Sequence, residues 1–133
     1  MSDLDHAREL LEMARGDLNA LKGMLQVGDA HGTSLFSDEV FGFHAQQAAE
    51  KSLKAGIASK GGMYPKTHDL MVLLYSLEDL GESVLELSNI VDLNPFAVQY
   101  RYESLDFDDE VLDRETLLTE IQTLFDRMMV LIG

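Results

Sequence analysis

The chain has 133 residues, with 24 Asp plus Glu against 10 Lys plus Arg, a net charge of −14 and 46% apolar residues. This describes one folded domain over residues 1–133 rather than a disordered acidic segment. The charge disfavours duplex nucleic-acid binding through a broad positive surface, and the absence of cysteine excludes a disulfide framework, a thiol nucleophile and a thiolate metal site.

From Leu4 to about Val27, apolar residues fall at Leu4, Ala7, Leu11, Ala14, Leu18, Leu21 and Leu25, in alternating steps of three and four. The spacing predicts a helix, capped by Ser2 or Asp3. Ala at two of the seven positions suits a bundle helix better than a free coiled coil. The same N-terminus carries Asp3, Asp5, Glu9 and Glu12 where a secretion signal needs a positive start. No apolar run approaches the roughly 18 residues of a membrane span, so a cytoplasmic, membrane-free protein is expected. Gly28 to Asp38 reads as a connection, with Ser37 or Asp38 capping a second helix from about Glu39 to Ser59. Lys60-Gly61-Gly62 ends that helix and Pro65 holds the next turn out of one. A third helix is predicted with Thr67 as its cap and Leu70, Leu73, Leu74, Leu77 and Leu80 on its buried side, stopping at Gly81. A shorter piece follows over about Glu82 to Val91, then a brief turn capped by Asn94 with Pro95 at its first position, leading to Tyr100, Arg101 and Tyr102. The last helix begins near Asp113 and repeats Leu117, Ile121, Leu124, Met128 and Ile132 at helical period. No segment alternates as a strand. The expected fold is all-α, an up-and-down bundle of four main helices with one or two short extra ones.

The second helix carries the chemistry. At 100° per residue, His44, Gln47, Lys51 and Lys54 share an arc of about 80°, with Glu50 about 40° further round. Opposite them lie Gly42, Ala45, Ala48, Ala49, Ser52, Ala55 and Gly56, small enough to let another backbone approach. The helix reads as packed on one side and available on the other. Between Lys51 and His68 there are four of the five lysines and no acid, so the rest of the chain carries −18. One reading is a solvated helix face and a basic loop. The other is an anion site, with lysines as point charges, His44 and Gln47 as donors, and backbone N–H groups at a helix start near Thr67.

His68, beside Asp69, is open to three roles: general base, ligand, or part of a capping arrangement. His6 and His31 have no partner at ligand spacing, so no metal site is expected, and no cofactor is implied. The acids Glu103, Asp106, Asp108, Asp109, Glu110, Asp113 and Glu115 lack the glycine and ligand order of a calcium loop and read as a solvated run. Covalent catalysis has no candidate nucleophile motif.

Phe43-His-Ala-Gln-Gln-Ala-Ala-Glu-Lys-Ser-Leu-Lys-Ala55, then Tyr64-Pro-Lys-Thr-His-Asp-Leu70, Leu93-Asn94 and Arg101-Tyr102 resemble, in order and spacing, the HEPN domain of prokaryotes and higher eukaryotes. The resemblance implies a helical bundle that works as a homodimer, often beside a minimal nucleotidyltransferase, with nucleotide binding or RNA cleavage as its activity. RNA-cleaving members carry Arg followed after four to six residues by His. Here Arg101 is followed by Tyr-Glu-Ser-Leu-Asp-Phe-Asp, and Arg8, Arg15, Arg114 and Arg127 likewise lack a His at that distance. Carried over by position, His44, Gln47, Lys51 and Lys54 would face a pocket for a nucleotide or other phosphate-bearing ligand. Lys66 and His68 would stand at its rim, and Arg101 would close it with a bidentate phosphate contact. Glu50, Thr67, Asp69 and Tyr102 would support or orient the ligand, with Tyr100 or Tyr102 able to stack on a base; Glu50 pairing with Lys51, Lys54 or Arg101 in a structural network is the alternative. The expected protein is therefore a non-catalytic ligand-binding module. Its alternatives are a degenerate ribonuclease of a toxin-antitoxin type system using His44 or His68 with Arg101, and an acidic dimeric interaction protein without ligand.

Overall fold

A computed structural model describes residues 3–26, 36–97 and 112–133. Gly28, His31, Gly32, Tyr100, Arg101, Tyr102 and the acids from Glu103 to Glu110 lie outside them. The described chain is all helical, with α1 at Asp3–Gln26, α2 at Asp38–Ser59, α3 at Leu70–Asp79, a 3₁₀ segment at Leu85–Phe96 and α4 at Arg114–Ile132. None of these helices is long and apolar enough to cross a membrane.

Helix α2 is the centre of the bundle and touches all four other elements. Its small residues explain why. Gly42, Ala45, Ala48, Ala49, Ser52, Ala55 and Gly56 are buried, and Gly42 lies against the Phe96 ring while Gly56 lies against Met128 and Leu77. Each glycine removes the side chain that would hold a neighbour away. Ser52 is fully buried and its hydroxyl has no partner among the described residues. Ser52→Ala should therefore be neutral or stabilise by up to about 1 kcal/mol in chemical denaturation, because the substitution removes an unpaired polar atom.

Helix α1 runs antiparallel to α2. Its N-terminal His6 meets Tyr64, which lies beside Lys54 near the C-terminal end of α2, and Asp17 meets α2 further back at His44 and Lys51. The buried α1 residues are Ala7, Leu10, Leu11, Ala14, Leu18, Leu21 and Met24. Leu4 is exposed and Leu25 only half-buried, so the seam is shorter and broader than the single stripe in the sequence. Helix α4 buries Leu117, Ile121, Leu124, Phe125, Met128 and Ile132, as its period predicts. Its start is fastened to the start of α2, where Arg114 Nε and Nη2 donate to Asp38 Oδ1 at 3.0 and 2.7 Å and Nη2 donates to the Phe36 carbonyl at 2.8 Å.

Two local expectations are corrected. Ser37 caps α2 as expected, but α3 begins at Leu70, capped by Asp69, so Thr67 is not its N-cap. The Thr67 hydroxyl instead accepts the Asp69 N–H at 3.0 Å, a small turn that sets up the true cap. The pieces expected over 82–91 and after Asn94 are instead 3₁₀ turns over Leu85–Phe96, broken early by a non-helical kink at Leu87 and continuous through Asn94 and Pro95. Asn94 serves α3 as well. Its Oδ1 accepts the Leu70 N–H at 2.9 Å and its Nδ2 donates to Asp69 at 3.0 Å. The 3₁₀ form persists because Leu87, Ile90, Leu93 and Phe96 are buried at near three-residue spacing, which matches a three-residue turn.

Candidate functional site

The connection Lys60–Asp69 carries the chain back along α2, from Ile57, which accepts the Gly62 N–H, to Gln46, which reaches the His68 carbonyl. This return brings the Tyr64–Leu70 segment against α2, and two carboxylates organise what meets there.

The first is Glu50, whose side chain is only 7% exposed. Its Oε1 accepts from Gln46 Nε2 at 2.9 Å and from His68 Nδ1 at 2.8 Å, and its Oε2 accepts from Lys54 Nζ at 3.0 Å. Gln46, fully buried, also donates to the His68 carbonyl at 3.3 Å and accepts from Gln47 Nε2 at 2.8 Å. Burial alone pushes the Glu50 carboxyl up; the hydrogen bonds from Gln46, His68 and Lys54, with the charge of Lys54, outweigh it and hold the pKa below its ordinary value of 4.5. The group is ionised at neutral pH.

The second is Asp17 of α1, its side chain 14% exposed. His44 Nδ1 meets its Oδ1 at 3.0 Å and Lys51 Nζ donates to its Oδ2 at 2.9 Å. A carboxylate only accepts, so in both pairs the imidazole donates Nδ1–H and turns Nε2 away from the acid. The two rings differ in access, because the His68 side chain is 65% exposed and that of His44 29%. Beyond Lys54 the cluster continues to Tyr64, whose ring lies 5.4 Å from Lys54 Nζ and whose hydroxyl is 2.7 Å from His6 Nε2.

The sequence-predicted residues are thus brought together in part. His44, Gln47, Lys51 and Lys54 do share one face of α2, but that face is not the open side expected. It is half-buried beneath α1 and the returning loop, with Lys51 only 19% and Lys54 only 13% exposed. Glu50 pairs with Lys54 and not with Lys51, which turns to Asp17. The basic segment is locally neutralised, since Lys60 pairs with Glu82 at 2.8 Å. Lys66 is exposed and has no ion-pair partner among the described residues. The expected donor group at the start of α3 is also taken up, because the Leu70 and Met71 N–H groups already bond Asn94 and Asp69. Arg101 and Tyr102 fall outside the described residues.

Three contributors escaped the sequence reading, and two of them leave a trace in it. Leu10, Asp17 and Met24 recur at seven-residue spacing, and the apolar members are buried, so Asp17 is an acid in an apolar register. Gln46 likewise follows Gly42 by four and precedes Leu53 by seven, inside the buried face. Tyr64 meeting His6 across 58 residues has no local signal.

The fold and this cluster define an all-helical bundle whose central helix carries a carboxylate-ordered set of histidines and lysines. The chain belongs to the HEPN domain family, whose model matches residues 7–127. No curated protein and no solved structure matches the chain.

Proposed function

We propose that this chain is a non-catalytic HEPN module that binds a nucleotide or another phosphate-bearing small ligand, as a homodimer acting with a separately encoded minimal nucleotidyltransferase. The observation that carries the binding reading is the convergence of the two signature segments on one polar network. Gln47 and Lys54 come from α2 and His68 from the returning loop, joined through Gln46 and Glu50, while His44 and Lys51 of the same helix are held by Asp17 and Lys66 of the returning loop is exposed. Lysine supplies point charge and the second N–H of the Gln47 amide a directed hydrogen bond, two contacts a phosphate oxygen takes from side chains. An acidic body around a locally neutral patch favours a small anion that fits between the side chains over an extended polyanion that meets the whole surface.

Calorimetry with ATP is expected to give Kd values in the micromolar to low millimolar range, and Lys51→Ala combined with Arg101→Ala should weaken binding by about tenfold or more. An unchanged affinity in the double variant, or no binding at millimolar ATP, removes the proposal. The degenerate ribonuclease is supported by one observation, the exposed His68 ring held by a buried carboxylate, which is how a general base is oriented. Labelled RNA incubated with the protein in chelator separates the two readings. Cleavage that is lost in both His68→Ala and Arg101→Ala supports the enzyme, and intact RNA excludes it.

A further inference from the structure

We infer that His44 and Lys51 form an oxyanion cradle and that Asp17 is its internal occupant, closing the site until a phosphate-bearing ligand displaces the carboxylate. The inference rests on the binding function proposed above and adds a regulating residue to it.

The geometry is that of a filled anion site. His44 and Lys51 stand seven residues apart on α2, two turns along the same face, and both point at one carboxylate. Each oxygen of Asp17 takes one donor, at 3.0 and 2.9 Å. A phosphate presents the same pattern of adjacent acceptor oxygens, so the two anions compete for the same donors and exclude each other.

Packing does not call for an acid at this position. Leu10 and Met24, one heptad to either side of Asp17, are buried, and an apolar residue between them would complete the seam without the desolvation cost of a carboxylate. Nor is the contact sealed, since the side chains of Asp17, Lys51 and His44 are 14, 19 and 29% exposed. Glu50 is different. It is more deeply buried, holds three donors and ties the returning loop to α2, so it is the fixed part of the cluster. Asp17 is the replaceable part, and because it belongs to α1, ligand entry would also release a cross-link between α1 and α2.

The test is ATP binding by calorimetry to the full chain. Asp17→Asn should tighten binding by about tenfold or more over wild type, because the occupant's charge is gone and the donors remain. Adding Lys51→Ala to Asp17→Asn should abolish the gain. Glu12→Gln, which removes one negative charge from an exposed position of the same helix, should change affinity less than about twofold. The inference is overturned if Asp17→Asn binds no better than wild type, if its gain survives Lys51→Ala, or if Glu12→Gln reproduces it. ATP binding by wild type that needs Lys51, with no gain from Asp17→Asn, overturns this inference alone and leaves the binding function standing. No binding by either protein overturns both. Should Asp17→Asn fail to fold, wild type still decides: ATP must shift the imidazole resonances of His44, assigned with His44→Gln, and unshifted resonances at saturating ATP overturn the displacement.

Discussion

Replacing Glu50 with alanine is expected to lower the free energy of unfolding by about 3–5 kcal/mol, measured by chemical denaturation. The carboxylate is the common acceptor of Gln46, Lys54 and His68, and its loss leaves a half-buried ammonium and a fully buried amide without their partner. Glu50→Gln, which keeps the shape and loses the charge, should cost less, about 1–3 kcal/mol. The pH dependence has a definite sign. The folded pKa of Glu50 is depressed below 4.5, so the folded state resists protonation and the stabilisation is complete above that value. It is lost as pH falls through the depressed pKa. The stability difference between wild type and Glu50→Gln should therefore be largest at neutral pH and shrink as the solution is acidified below about 4.5. A difference that is constant through that range would contradict the assignment of Glu50 as the ionised centre of the cluster.

The second large effect lies at the crossing of α2 and the 3₁₀ segment. Phe96 is 2% exposed and its ring sits on Gly42, where an added Cβ would stand 2.5 Å from Phe96 Cγ. Phe96→Ala should cost about 3–5 kcal/mol through lost burial and a residual cavity. Gly42→Ala should cost about 1–2 kcal/mol, the overpacking exceeding the helix-propensity gain of alanine over glycine. In a Phe96→Ala background the methyl enters vacated space, so Gly42→Ala should become neutral or stabilising there. A double-mutant cycle by denaturation measures this change of sign, and additive costs would refute the contact. The site depends on the same crossing, since Asn94, two residues before Phe96, caps α3 just after His68.

Much of the fold was legible because helices with one buried face announce themselves by period. The α4 repeat from Leu117 to Ile132, the Ser37 cap and the small-residue face of α2 all follow from local spacing and local hydrogen-bonding capacity. The expected start of α3 is two residues early because Thr67 and Asp69 are both competent caps; the choice falls to Asp69, which Asn94 of the 3₁₀ segment holds in place. The candidate site was legible as a set of donors on α2, with a Glu50–Lys54 pair among the alternatives, but not as a cluster balanced by two carboxylates. Its acceptors are Glu50, turned inward on the same helix, and Asp17, on another helix altogether.

The sequence by itself determined the four main helices, their apolar faces, the family signature and the concentration of lysines in one acid-free stretch of a −14 chain. Only the tertiary structure decided what those lysines do. Lys51, Lys54 and Lys60 are each claimed by an acid, from α1, from α2 itself and from the segment after α3. Helical period is a property of neighbours along the chain, whereas a salt link depends on which faces the core brings within about 4 Å, and that distance is set by the packing of the whole bundle.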